Sequence, residues 1–266
     1  MFLQNLKKIG GGLLIRDNTF KEISFPNLEN IEGSILLKGI KFGLLISNNN
    51  ELKTVSFEKM REVKIIGFIS LDFDEPTTNI VLKEINLEKL EKCEGLFFKN
   101  PELSILKLNN LERIETSLDN DNGLPSFLIE NTKLENIILD KLKCSNKISI
   151  ENNDELEKVS FKELKEVKEK ISINLNKNLT NLSDIFPKLQ NVLGETNTTA
   201  VAINDSSSLT KALNMNGSFN NIKRIVGRVV IFQVNAESKK HLEYKIIPII
   251  EGGGGSVQIE EFINNS

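Results

Sequence analysis

The feature that most restricts what this chain can become is a repeat. An apolar residue recurs after a Leu-x-x spacer at Ile9, Ile31, Val63, Cys93, Ile114, Cys144, Val167, Val192 and Ile222. A short unit with two or three apolar segments cannot bury its own hydrophobic side, so neighbouring units must stack to make a continuous core. The spacing varies because some units carry insertions, which map to loops on the edge of such a stack.

The stretch KISIENNDELEKVSFKELKEV (147–167) shows the conflict that the repeat resolves. Its first half alternates like a half-buried strand, while FKELKEV alone reads as an amphipathic helix. Within a repeat, the second half becomes a corner leading into a strand, with Phe161, Leu164 and Val167 pointing inward. The same logic makes corners of FEKMREV (57–63) and LEKLEKC (87–93). Asn-x-x-Leu follows the strand at Asn49, Asn100, Asn131 and Asn153. Asn tolerates positive φ and bonds nearby backbone, so it suits a corner, and asparagines in register can form a ladder.

These patterns predict an all-β solenoid of about eight to nine coils, with room for short helical turns at the corners. The solenoid is expected over residues 1–235 and a cap or tail over 236–266, with IIPIIEGGGGSVQIEEFI forming the last strands. Segments 38–44, 72–80 and 119–126 are expected to be insertion loops. Gly10 to Gly12 should relax the first coil.

FPNLENIEGSILL (25–37) and FPKLQNVLG (186–194) resemble the repeats of receptor L domains. Those domains are the ligand-binding lobes of insulin and epidermal growth factor receptors, and similar repeats occur in fungal cell-wall surface proteins. The resemblance spans roughly residues 5–235 and implies a right-handed parallel β-solenoid, leucine-rich-repeat-like, with a binding or display role. The chain lacks the receptors' cysteine-rich modules, so growth-factor binding does not carry over.

Charge and composition narrow the chemistry. With 34 Lys and Arg against 37 Asp and Glu, the net charge is −3, which gives nucleic acid or anionic lipid no broad basic face. No apolar run is long enough to span a membrane, and MFLQNLKKIGGG lacks the apolar core of a secretory leader. Cys93 and Cys144, read as equivalent positions two coils apart, are too distant for a disulfide and replace buried Ile or Val. The single histidine, His241, rules out a two-histidine metal site and reads as a solvated residue of the cap. No nucleophile elbow or phosphate loop occurs, and no cofactor is implied.

Two acidic stretches stand out: LDFDEP, with Asp72 and Asp74, and LDNDNG, with Asp119 and Asp121. They are candidate ligand loops, because hard oxygen donors concentrate there, with solvated turns as the plain alternative. N-glycosylation sequons fall at Asn178, Asn181, Asn197, Asn204, Asn216 and Asn264, all in the later part of the chain. The reading that joins these features is a non-enzymatic recognition or adhesion module at a cell surface or wall, binding a protein or glycan, with no nucleic acid and no membrane span. An intracellular docking scaffold in the cytoplasm is the alternative.

Overall fold

The computed structural model describes residues 3–69, 79–115, 126–204, 211–251 and 255–262. It is mostly β, with parallel pairing dominant, and is β-solenoid-like. The chain divides into two compact units, residues 1–134 and 135–266.

The first unit contains β1 (Lys8–Ile9), β2 (Leu13–Arg16), β3 (Glu22–Ser24), β4 (Asn30–Ile31), β5 (Ile35–Leu37), β6 (Ile40–Ser47) and β7 (Thr54–Ser56). It continues with β8 (Glu62–Phe68), β9 (Glu84–Asn86), β10 (Lys92–Phe98), β11 (Ile105–Lys107), β12 (Arg113–Ile114) and β13 (Phe127–Glu130). A broad sheet runs β1, β4, β8, β10, β12, with β2 and β6 continuing it at one end and β13 beside β10. A narrow sheet runs β3, β7, β9, β11. The repeat positions align as read: Ile9 pairs Ile31, Ile31 pairs Val63, Val63 pairs Cys93 and Cys93 pairs Ile114.

Between the sheets the chain turns twice per repeat. At one corner the amide of the fourth residue bonds the carbonyl of a Phe or Leu: Leu28 to Phe25, Met60 to Phe57, Leu90 to Leu87. Phe25 and Phe57 are fully buried and stack at 5.2 Å between ring centroids. FEKMREV and LEKLEKC are therefore tight turns running into strands, because only that path seats their apolar residues against the neighbouring repeat.

The other corner carries an asparagine ladder. Asn49 Oδ1 accepts the Asn18 amide, while Asn49 Nδ2 donates to the carbonyls of Ile15 and Ser47. Asn79 Oδ1 accepts the Asn49 amide at 2.9 Å, and Asn79 Nδ2 donates to Ile46. The left-handed φ falls mostly on the preceding residue, at Asp17 and Asn48, so the ladder asparagine is selected for its side-chain amide. Where the pattern offers Asn131, that residue is exposed at positive φ, and the buried neighbour Thr132 accepts the Leu134 amide.

Segment 38–44 is not an insertion loop. Lys38 and Gly39, both at positive φ, make the two-residue turn of an antiparallel β5–β6 hairpin, and 40–44 already belongs to β6. The glycines near the start also differ from expectation. A Cβ on Gly12 would lie 2.6 Å from the Ile35 amide nitrogen, so this residue permits a close approach of two backbones. Phe42, Leu45, Ile65 and Phe97 form a separate buried apolar cluster, with Phe42 and Phe97 edge to face at 6.3 Å.

The second unit contains β14 (Asn136–Ile138), β15 (Cys144–Glu151), β16 (Lys158–Ser160), β17 (Glu166–Asn174), β18 (Asn191–Leu193) and β19 (Thr199–Ile203). It ends with β20 (Arg224–Val226), β21 (Arg228–Val234), α1 (Ala236–Glu251) and β22 (Val257–Glu261). Its broad sheet runs β15, β17, β19, β21, β22, with β18 beside β17 and β20 beside β18, and β14 pairs β16. Phe161, Leu164 and Val167 are fully buried, as the repeat requires. Phe161 stacks on Phe186 at 5.6 Å and Phe186 meets Phe219 at 5.4 Å. Asn176 Oδ1 accepts both the amide and Nδ2 of Asn153, repeating the ladder.

Two repeat positions shift here. Val192 pairs with Ile225, not Ile222, because Ile222 closes the corner turn on Phe219 and occupies the usual leucine place. Val167 pairs with Ser145, not Cys144; Leu142 precedes Cys144 by only one intervening residue, and an irregularity between Ser145 and Lys147 absorbs the difference.

The stretch IIPII is helical, not a strand. Asn235 caps α1 by accepting the Ser238 amide at 2.7 Å, and Leu242, Ile246 and Ile250 bury one face against β20 and β22. Within VQIEEFI, Val257–Glu261 is strand as expected. His241 is half-buried on this helix, with Nε2 3.0 Å from the Ser218 carbonyl, so it is not a solvated residue.

Candidate ligand groove

The inward registration of Ile31, Val63, Cys93 and Ile114 forces the residues beside them outward, since side chains alternate along a strand. One row is Asn30, Glu62, Lys92 and Arg113, aligned across β4, β8, β10 and β12. Two residues further along, Glu32, Lys64, Glu94 and Glu115 make a second row. Between them lies a groove of about 580 Å³ within the first unit. Signs are mixed along both rows. Glu32 pairs with Lys8 at 3.4 Å and Arg113 with Glu115 at 3.2 Å, both at exposed positions.

The backbone under the rows is fixed by the parallel ladder and by flanking bonds, including the Glu32 amide to Ile9 and the Glu115 amide to Cys93. At the rim, Gly43 sits in a register shift between β6 and β8, where an added Cβ would meet Val63 at 2.7 Å. Such a surface offers donors and acceptors of both charges at fixed spacing. It suits an extended polar ligand.

The Cys93 side chain is buried beneath the groove, and its surroundings disfavour the thiolate. Burial pushes the Cys93 thiol well above its usual range, and the neighbouring Glu94 carboxylate raises it further. Cys93 and Cys144 are both buried, and neither is in a disulfide. Among the described residues, no group of three or more His, Cys, Asp or Glu side chains is placed to hold a metal ion.

The candidate residues read from sequence scatter. Asp72, Asp74, Asp119, Asp121 and Asn264 lie outside the described residues. Asn178, Asn181 and Asn197 are exposed. Asn181 Oδ1 accepts both the amide and hydroxyl of Ser183, within its own sequon. Asn204 is buried and its Nδ2 donates to Gln233 Oε1 at 2.7 Å. Asn216 is half-buried beside Ser238, and its sequon hydroxyl, on Ser218, is buried and donates to Leu182. The groove rows were not singled out from sequence, although the Leu-x-x spacing that located Ile31, Val63 and Cys93 also fixes their flanks.

The Phe-x-x-Leu corner, the Asn ladder and the parallel register all recur in the stretch that a family model for the receptor L domain matches, residues 1–75. Residues 1–75 are thus similar to the receptor L domain family. Receptor L domains are ligand-binding, non-catalytic modules and are typically extracellular. Neither the curated proteins nor the solved structures give a match to the chain. No helix among the described residues is long and apolar enough to cross a membrane.

Proposed function

We propose that the chain is a non-enzymatic extracellular recognition module that binds a protein ligand in the groove between the Asn30 and Glu32 rows. The observation that carries this reading is the pair of mixed-charge rows standing on a hydrogen-bonded parallel ladder. Ligand side chains of either sign find partners there without the backbone having to reorganise, which limits the ordering cost of binding. The match of residues 1–75, which include the first two strands of the groove, to the receptor L domain supports the same reading.

The test is a binding screen against extracellular proteins, followed by a Lys64→Glu/Lys92→Glu variant. A hit should weaken at least about tenfold in that variant, since rim and partly buried charges act on both encounter and dissociation. A hit that binds the variant unchanged places its site elsewhere and removes the groove from the reading.

On a secretory route, Asn178, Asn181 and Asn197 are the sequons whose side chains stand free of the core. Intact mass before and after removal of N-glycans checks them, with a fall on treatment expected. The second reading, an intracellular docking scaffold, draws on the two cysteines that form no disulfide, and an unchanged mass of the protein from its natural source favours it.

A further inference from the structure

We infer that the corner of the second unit that leads into its broad sheet is a binding ridge for a linear sulfated polysaccharide. The ridge is built by stacking. The Lys165 amide bonds the Lys143 carbonyl at 2.9 Å, Gln190 bonds Lys165 at 2.8 Å and Lys223 bonds Gln190 at 2.8 Å. These four residues therefore stand one above another, at the strand spacing of about 4.8 Å. Lys143, Lys165 and Lys223 are exposed. Gln190 interrupts the row without reversing its charge, and its Oε1 accepts Lys223 Nζ at 3.2 Å.

The surroundings keep the ridge positive. Lys141, Lys188 and Arg224 flank it and are exposed. Of the carboxylates at this corner, Asp140 is paired with Lys162 at 2.8 Å and Glu163 with Lys188; Glu166 is half-buried at the start of β17. The Glu163 carboxyl is held below its usual range by the Lys188 hydrogen bond, with Lys165 and Lys143 adding to the effect. Those two lysines thus contribute to one local field.

A row of cations set by repeat stacking matches a polymer that presents an anion at regular intervals and lies across the strands. Three features select polysaccharide over other polyanions. The aromatic residues of this corner, Phe161, Phe186 and Phe219, are fully buried, so none is available to stack on a base. Its apolar residues, Leu142, Leu164, Leu189 and Ile222, are also buried, so none can enter a lipid surface. The net charge of −3 works against the larger footprint of a duplex. This inference is independent of the groove in the first unit.

Heparin serves as the probe, with the full chain at graded NaCl and binding followed by column retention and calorimetry. Wild type should be retained at low salt. The Lys143→Glu/Lys165→Glu/Lys223→Glu variant should lose at least about tenfold in affinity, and Lys-to-Gln replacements at the same sites should lower the salt slope by about two to three. Lys59→Glu/Lys89→Glu in the first unit should bind as wild type. Circular dichroism and melting temperature establish that each variant is folded, and the Gln series keeps the test decisive if charge reversal impairs folding. The proposal is overturned if wild type passes through at low salt, or if folded ridge variants elute with it. Equal or tighter binding to duplex DNA or to phosphatidylserine vesicles would overturn it as well.

Discussion

At the corner before the broad sheet, residues 1–134 stack Glu29, Arg61, Glu91 and Glu112 through the same backbone bonds that stack Lys143, Lys165, Gln190 and Lys223 in residues 135–266. The first row is mixed and partly self-neutralised, with Arg61 and Glu91 3.1 Å apart. The second is basic. Inside, the two units hardly differ: Phe25 and Phe57 correspond to Phe161 and Phe186, and Asn49 and Asn79 to Asn153 and Asn176. Inward positions answer to packing and to buried hydrogen bonds, which one arrangement satisfies. Outward positions at a solvated corner carry little folding energy and are free to specialise.

That contrast can be broken from the inside first. Phe57→Ala and Phe161→Ala should each cost about 3–5 kcal/mol in chemical denaturation, with equal severity in the two units. A cost below about 1 kcal/mol in either would show that its corner is not held by the ring stack. Next come Asn49→Ala and Asn153→Ala. Each strips partners from several buried groups, for a loss of about 2–4 kcal/mol. A neutral outcome would mean that the ladder follows the fold without supporting it.

A smaller pair of changes probes the apolar cluster around Phe42 in the first unit. Gly67→Ala would bring its Cβ within 2.8 Å of the Phe42 ring and 3.0 Å of Leu45, whereas on Gly95 the nearest contact is an ordinary 3.4 Å. The first should destabilise by about 1–3 kcal/mol and the second by well under 1 kcal/mol, measured by thermal melting. Similar values for both would mean that the Phe42 ring yields freely.

The weakest effect is in the pH response. Burial tends to raise the Asp140 carboxyl, but the hydrogen bonds from Lys162 and Ser160 outweigh this and hold it below its usual range. Its contribution is present at neutral pH and above the unfolded value near 4, and it is lost as pH falls through the lower folded value. Melting curves should therefore show no Asp140 contribution to any change between pH 7 and 5. Below about pH 4, Asp140→Asn should flatten the decline by less than about 1 kcal/mol, given the exposure of the pair.

Much of the interior was legible in the sequence because the repeat imposes it. Ile9, Ile31, Val63, Cys93 and Ile114 fall in register as read, since Leu-x-x before a strand is a geometric requirement of the corner. The misreadings sit where a residue of another type fills a place: Ile222 in the position of a leucine, Thr132 beside Asn131, and a two-residue hairpin turn at Lys38 and Gly39. Helix α1 was missed because its apolar face, Leu242, Ile246 and Ile250, lies across a charged stretch and Pro248. The groove and the ridge were invisible for a different reason: together they join residues 21 to 33 positions apart, and no single segment shows them.

The asparagine ladder has a consequence for how such a chain can change over generations. Each ladder amide reads only the repeat beside it, taking one bond and handing on another. A duplicated repeat spliced into the gene would therefore arrive with its own connectors, and both old neighbours would find the partner they had lost. Lengthening by whole repeats is the easy route for this sequence, whereas a single residue added inside a strand has to be absorbed by a local irregularity like that between Ser145 and Lys147.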